Sequence, residues 1–526
     1  MPGTHTYPGV YIVEIPSGVH AIAGVSTSNT AFIDFFARGP MNTAVQTTSF
    51  ADFERTFGGL DTRSEGSYAI QQYYLNGGQL AWVVRVAAGA PQAAQLTLQG
   101  GSPAQNTLAV QAANPGSWGN NVQTAVVLLP GGATFNLAVR EAVTANGKTT
   151  VLNSEIFRNL TMDKSKPNYA VSVVNAGSQL VQLTDSGLGD LPIGSPPTAN
   201  GGVPDSAYQS LSGGADGNAP DSAALQGDQL AKTGLYALDA IDPFIFNILC
   251  LPAAATLDAQ AASLQTPIMA SVYSAAAAYC EAKRAMLIVD IPPYVNTAAK
   301  MVTWFTANSL ATPNAAVYFP RLTIIDPNNG NRARDIGPSG AMAGVYARTD
   351  AARGVWKAPA GTDAGLLGAN LAITLNDLEN GELNPLGINV LRNFPIFGNT
   401  SWGARTLEGA DQQASEWKYI PVRRTALYVE ESLFLGLKWA VFEPNDEPLW
   451  SQIRLNVGSF MQDLFRQGAF QGTSPRDAYF VKCDKDTTTQ SDIDNGIVNI
   501  LVGFAPLKPA EFVVIQIQQI AGQSQS

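Results

Sequence analysis

The chain holds two histidines, His5 and His20, and they bound what its serines and cysteines can do. A Ser-His-Asp triad needs an imidazole as general base, and both histidines lie in or beside the N-terminal arm, far from Ser339 in Gly-Pro-Ser-Gly340. Ser339 is expected in a turn, and a cysteine nucleophile fails for want of the same base. Gly147-Lys148-Thr149 matches the end of a phosphate loop, but the first glycine of that motif would fall at Ala142, so a hairpin turn accounts for it. Asp326-Pro-Asn-Asn-Gly330 opens like a calcium loop without the closing bidentate Glu and reads as Asn-Gly turn chemistry. Glu430 and Glu431 are adjacent carboxylates on an amphipathic helix, where a solvated or inter-subunit face is the ordinary reading. Cys250, Cys280 and Cys483 are too few and too scattered for a disulfide framework or a metal cluster, and read as buried thiols of a reducing compartment. No catalytic, cofactor or metal constellation survives this pass.

Composition bounds the partners. A chain of 526 residues is too long for one core. Charged residues make up 14%, against the usual quarter, which leaves neutral surface to bury against further copies. A net charge of −11 and a pI near 4.8 argue against a nucleic-acid grip, which needs clustered Lys and Arg. No apolar run is long enough to span a membrane, and no signal peptide is visible at the start.

The elements follow from periodicity. Residues 1–20 read as an extended arm whose Pro/Gly pairs bracket a strand with Tyr11, Val13 and Ile15 on one face. Residues 21–86 read as strand, helix capped by Ser49, helix, strand. Residues 87–222 read as a peripheral β-rich insertion with alternating runs such as Phe135–Val139, Tyr169–Val174 and Leu180–Leu183, and 187–218 as a linker. Over 223–370 strands and helices alternate, including a strand Val317–Asp326, which predicts an α/β layer with a parallel sheet. Residues 371–510 carry two amphipathic helices, one over Val422–Phe442 stopped by Pro444, the other capped by Asp446 and burying Leu449, Ile453, Val457, Phe460 and Leu464. After a run at Ile497–Phe504 and a connector with Pro506 and Pro509, residues 511–526 form a second arm. Its strand Phe512–Ile520 places Val513, Ile515 and Ile517 on one face and Val514 on the other, ending at Ile520.

Several separated segments carry a resemblance. Tyr7-Pro-Gly-Val-Tyr11, Ser49-Phe-Ala-Asp-Phe53, Asn76-Gly-Gly78, Arg423-Arg-Thr-Ala-Leu427, Trp439-Ala-Val-Phe-Glu-Pro-Asn445 and Arg466-Gln-Gly-Ala-Phe470 stand in an order similar to that of the tail sheath proteins of contractile phage tails and related injection systems. Asn114-Pro-Gly-Ser-Trp-Gly-Asn120 resembles a turn in that family's β-sandwich insertion. The resemblance implies a multidomain α+β chain: a subtilisin-like central layer without catalytic residues, a small β-sandwich insertion, and a C-terminal sheath domain joined by residues 21–86. It implies a structural subunit, not an enzyme, that polymerises helically around an inner tube, with baseplate and cap proteins at the ends. Assembly would take place in the bacterial cytoplasm, without nucleic acid or membrane insertion. Arms would be donated between neighbours through Tyr11, Val13, Ile15, Phe512, Val513, Val514, Ile515, Ile517 and Ile520, while Arg423, Arg424, Lys438 and Arg454 would be candidates for contact with the tube. The rivals are a glycan-acting hydrolase on the α/β layer, which turnover by purified protein would reveal, and a tube or baseplate subunit.

Overall fold

A computed structural model describes residues 20–131, 133–198, 202–243, 245–258 and 268–516. It divides into two compact units, one of residues 26–423 and one joining residues 20–25 with residues 424–516. The larger unit begins with β1 (Thr30–Asp34), β2 (Ala44–Thr47), α1 (Phe50–Phe57), α2 (Glu65–Leu75) and β3 (Ala81–Arg85). An inserted sandwich follows: β4 (Gln95–Gly100), β5 (Gln105–Ala112), β6 (Val122–Leu128), β7 (Phe135–Ala145), β8 (Lys148–Leu160), α3 (Ala170–Gly177), β9 (Val181–Asp185) and β10 (Gln209–Ser210). The chain returns through α4 (Ser222–Gln226), β11 (Ile248–Cys250), α5 (Ile268–Ala282), β12 (Met286–Val289), α6 (Ala298–Asn308), β13 (Ala315–Phe319) and β14 (Leu322–Asp326). It completes the unit with β15 (Arg332–Ile336), α7 (Ser339–Arg353), β16 (Asn370–Leu371), α8 (Asp377–Leu383), β17 (Asn389–Phe394) and β18 (Gly398–Ser401). Then come α9 (Ile420–Gly436), α10 (Glu447–Arg466), β19 (Tyr479–Lys482) and β20 (Leu501–Phe504).

The centre of the larger unit is an eight-stranded sheet in the order β18-β17-β13-β12-β11-β1-β3-β2. Its inner pairs are parallel and only the edge pairs, β2–β3 and β17–β18, are antiparallel. Parallel strands are covered on both faces, so their residues are apolar throughout. Ala31 and Ile33 of β1 enter one core and Phe32 the other, and Leu287 and Ile288 of β12 divide in the same way. The alternation over 223–370 predicted a parallel layer. The structure builds one, but adds β1, β3 and β2 at one end and β17 and β18 at the other. The grouping of 21–86 with 371–510 is therefore corrected, because only residues up to Val25 join the C-terminal unit. Parallel pairing over more than 200 residues, as in Thr30 with Ile248, leaves no local trace in sequence.

Local chemistry explains the helix ends. The Ser49 hydroxyl accepts the Asp52 N–H at 3.1 Å, Gly58 closes α1 in the left-handed region, and Phe53 and Phe57 are buried between. Asp446 caps α10, Pro448 fills its first turn, and Leu449, Ile453, Val457, Phe460 and Leu464 are all buried. Other expectations change. The run Val317–Asp326 is two strands, since Pro320 between them has no N–H to continue a ladder. Tyr169–Val174 lies largely in α3, where Ala170 and Val174, one helical turn apart, both enter the sandwich core. The first C-terminal helix stops at Gly436 rather than near Phe442, and a short 3₁₀ turn, Lys438–Ala440, follows.

The sandwich stacks the sheets β10-β6-β7-β8 and β4-β5-β9 over one core. The described parts of 187–218 are no loose linker. They pair back through Pro192 with Gly100, Ser195 with Val127, Ser212 with Gln95, Ala215 with Gln92 and Asn218 with Ala88. The base of the insertion is clasped by arginines. Arg85, fully buried, donates to the Gly39 carbonyl at 2.9 Å and to Pro115 at 2.6 Å. Arg63 bridges Asp61 and Asp216, and Arg38 pairs with Glu141 at 3.0 Å while lying over Trp118.

Helices α2 and α7 meet with no spare room. A Cβ on Gly340 would lie 2.0 Å from the Ala69 carbonyl oxygen, and one on Gly344 2.5 Å from that of Tyr73. Gly340→Ala should therefore lower stability by about 2–3 kcal/mol through overpacking. Gly381→Ala in α8, where a Cβ meets nothing within 4 Å, should be neutral or stabilising by up to about 1 kcal/mol. Denaturant midpoints of the two variants read the contrast, and equal midpoints would show that the seam is not close-packed.

Candidate functional site

The side chains with candidate chemistry are structurally occupied. Ser339 is the first residue of α7 rather than part of a turn, and its buried hydroxyl donates to Asp290 Oδ2 at 2.5 Å. No histidine occurs in residues 26–423. Asp326 accepts from the Tyr68 hydroxyl at 2.7 Å, the Asn328 N–H at 2.9 Å and Arg334 at 3.3 Å. Burial pushes its carboxyl up, but these hydrogen bonds and the Arg334 charge outweigh burial and hold it below the usual range. Asn146 and Gly147, at φ of 52° and 73°, form the β7–β8 hairpin turn, and Lys148 begins β8 paired with Ala145. The three cysteines are free and buried; burial raises the thiol of Cys483 to about 11 and those of Cys250 and Cys280 further. Among the described residues no three His, Cys, Asp or Glu side chains are placed to hold a metal ion. No described helix is long and apolar enough to cross a membrane. Glu431 is buried and Glu430 exposed, so they are not one solvated pair.

What the C-terminal unit offers is surface. Residues 20–25 run along α9: the Val25 N–H donates to Ser432 Oγ at 3.2 Å, His20 stacks on Trp439 at 4.3 Å, and Ile22 fills the space beside Gly436. Helix α10 supports the antiparallel pair β19–β20, in which Tyr479 faces Phe504 and Lys482 faces Leu501. The Tyr479 hydroxyl donates to Gln462 Oε1 at 2.8 Å, and Phe470 packs on Tyr479 and Phe504. Among the described residues this sheet has two strands, so each keeps one edge without a described ladder partner, and Phe480 and Leu501 are exposed on it. Beyond the Phe470–Pro506 bridge, residues 507–516 form no helix or ladder, and Phe512, Val513, Val514 and Ile515 are 75–81% exposed. Among the described residues, 512–516 of the strand expected there pair with nothing. Ile517 and Ile520, like Tyr11, Val13 and Ile15, lie outside the described residues.

The four candidate tube contacts are dispersed. Arg424 is 4% exposed and turned inward, which removes it as an outward-facing contact. Arg423 donates to Asn314 Oδ1 at 3.0 Å and lies over Trp417. Arg454 pairs with Glu447 at 2.5 Å and donates to the Cys483 carbonyl. Lys438 is exposed, beside the ring of Phe434. Charge type alone does not reveal which cations a fold consumes internally. A feature without a sequence signal sits next to Lys438. Phe442 is fully exposed at a φ of 70°, a region a bulky residue rarely adopts, with Val441 and Phe434 exposed nearby. The loop holding it is braced, since Asn445 donates to the Ile497 carbonyl and accepts from the Trp450 indole N–H, both at 2.9 Å.

Residues 412–520 match the family model described as the phage tail sheath C-terminal domain. Over these residues the chain carries a phage tail sheath C-terminal domain. It is 28% identical over 204 residues to a prophage major tail sheath protein of Pseudomonas aeruginosa, covering 36% of this chain and 49% of that one. It is 28% identical over 187 residues to the tail sheath protein of Vibrio phage KVP40, covering 35% and 26%. The chain thus spans half or less of the length of the curated relatives it matches. In fold it is similar to the contracted sheath of the PVC extracellular contractile injection system, at 22% identity, 98% coverage of both chains and a TM-score of 0.57. It is likewise similar to a sheath tail protein of Listeria innocua, at 12% identity, 93% and 96% coverage and a TM-score of 0.59. The mixed α+β multidomain architecture is that of sheath structures.

Phe442 supplies a test of whether this sheath surface is built for a partner. Phe442→Gly relieves the left-handed backbone and should stabilise the isolated subunit by about 1 kcal/mol, while weakening its association. Unfolding and sedimentation measurements on the same samples read both. A destabilised variant with unchanged association would assign Phe442 to internal packing.

Proposed function

We propose that the chain is the sheath subunit of a contractile tail or injection apparatus. Copies polymerise helically around an inner tube in a metastable extended state, between a baseplate and a terminal cap. They then rearrange into a shorter, wider lattice that drives the tube through a target envelope. The contacts are heterologous and non-closing, the symmetry that makes filaments. The work comes from better contacts in the contracted lattice, released from a kinetic trap.

The observation that carries this reading is the row of exposed apolar residues at Phe512–Ile515, in the same unit as a two-stranded sheet with open edges. Burying four such side chains would contribute roughly 6–12 kcal/mol, and added-strand pairing supplies main-chain hydrogen bonds of about 1 kcal/mol each. In this reading each subunit donates residues of its C-terminal strand, and those around Tyr11–Ile15, to neighbouring sheets. Main-chain ladders then hold the mesh while domain bodies turn. Lys438, Arg454 and the exposed Phe442 turn are the elements offered to the tube. The eight-stranded layer serves as a rigid subtilisin-like body without catalysis, and the sandwich over 87–222 lies at the periphery of the lattice. The apparatus is a phage tail or tail-like particle assembled in the cytoplasm.

Removing residues 511–526 should give soluble monomers with an unchanged unfolding midpoint that build no cylinders, whereas the full chain forms hollow cylinders by electron microscopy. Cylinders from the truncated chain would end the strand-donation reading. Smooth thin tubes from the full chain would favour a tube subunit instead.

A further inference from the structure

The C-terminal ends of β1, β12 and β13 converge on the N-termini of α2 and α7, and what meets there is mostly acid. Asp34 ends β1, Asp290 follows β12, and Glu65 is the first residue of α2; all three are buried. The cation among them is Arg321, just past β13 and also buried. Arg321 donates to Glu65 and to the main-chain carbonyls of Ile291, at 2.5 Å, and Asp335. Glu65 also accepts the Gly337 N–H at 2.6 Å. Asp290 accepts the Ser339 N–H at 2.9 Å and the Ser339 hydroxyl. Asp34 Oδ1 accepts the Phe35 N–H at 2.6 Å, while Asp34 Oδ2, fully buried, has no partner.

The remaining neighbours bring no second positive charge. Cys250 of β11 and Tyr273 of α5 are sealed in, and burial keeps both un-ionised. The Asp335 side chain instead accepts from Thr323 at 2.6 Å, and Arg334 is spent on Asp326. Three carboxyls against one guanidinium would leave two uncompensated charges in a dry core, which costs several kcal/mol per ion. Glu65 has taken Arg321, so Asp34 and Asp290 are the groups that must stay neutral.

We propose that this cluster is a proton-operated latch on the α2–α7 seam, closed while Asp34 and Asp290 hold protons and forced open when both ionise. Burial, with repulsion from Glu65 added, pushes Asp34 up to about 8 and Asp290 up to about 7. Between about pH 4 and pH 8 the folded chain then binds more protons than the unfolded chain, so stability falls as pH rises through this window. The seam cannot yield by small adjustment, because Gly340 and Gly344 already touch α2 main chain. Water can reach the new charges only if the helix ends part. Mild alkali would therefore loosen the body of each subunit, independently of whether the subunits are assembled.

The test uses the full-length monomer. The wild type should lose about 5 °C in melting temperature between pH 6 and pH 9, and the Asp34→Asn, Asp290→Asn double variant less than half of that. Where the double variant does not fold, infrared spectra of the wild type decide. A carbonyl band of un-ionised carboxylic acid at pH 6 that fades by pH 9 without loss of secondary structure supports the latch. Its absence at pH 6, or an unchanged pH slope in a folded double variant, overturns it.

Discussion

Four consecutive large apolar side chains, Phe512 to Ile515, stand exposed among the described residues. A soluble monomer rarely tolerates such a contiguous patch, and a two-stranded sheet with open edges is equally incomplete. Both deficits lie in the same unit, and the strand addition between copies proposed above would meet both. Addition of a strand is directional and can repeat from copy to copy without closing, so under that proposal a filament would follow from the same physics. The low charge content serves the same end, since surface buried against other copies carries little ionic desolvation cost.

The larger unit is built the opposite way. Its sheet is covered on both faces, its helices α2 and α7 are in main-chain contact, and its insertion is clasped through Arg85, Arg38 and Arg63. A body packed to that density moves as a whole rather than by internal adjustment. A contractile lattice needs this division of labour: connections that persist and bodies that turn. The cost of so closed a core is the buried acidic cluster beneath the seam, whose charge balance depends on protons.

Much of the C-terminal unit was legible in the sequence because its signals are local. Asp446 as cap, Pro448 in the first turn and a period near 3.6 from Leu449 to Leu464 specify α10 without any tertiary information. The central layer was legible only as a class. Alternating strands and helices over 223–370 announce a parallel sheet, but nothing near Thr30 announces Ile248 as its neighbour. Short windows misled where two periods fit the same residues, as at Tyr169–Val174. Composition misled at 187–218, where Gly, Pro and Ser mark bridges folded back onto the sandwich rather than slack. The surface was least legible. Arg424 looks like any outward cation until burial is known, and the left-handed Phe442 gives no signal in a residue string.

The central claim, that the end of one chain completes the sheet of another, is tested most directly by hydrogen exchange on monomer and cylinders of the full-length protein. The amides of residues 512–516 should exchange freely in the monomer and, together with the β20 amides that face away from β19, become protected by at least about a hundredfold on assembly, as ladder hydrogen bonds form. Equal exchange in the two states at 512–516, with protection gained elsewhere, would contradict the account.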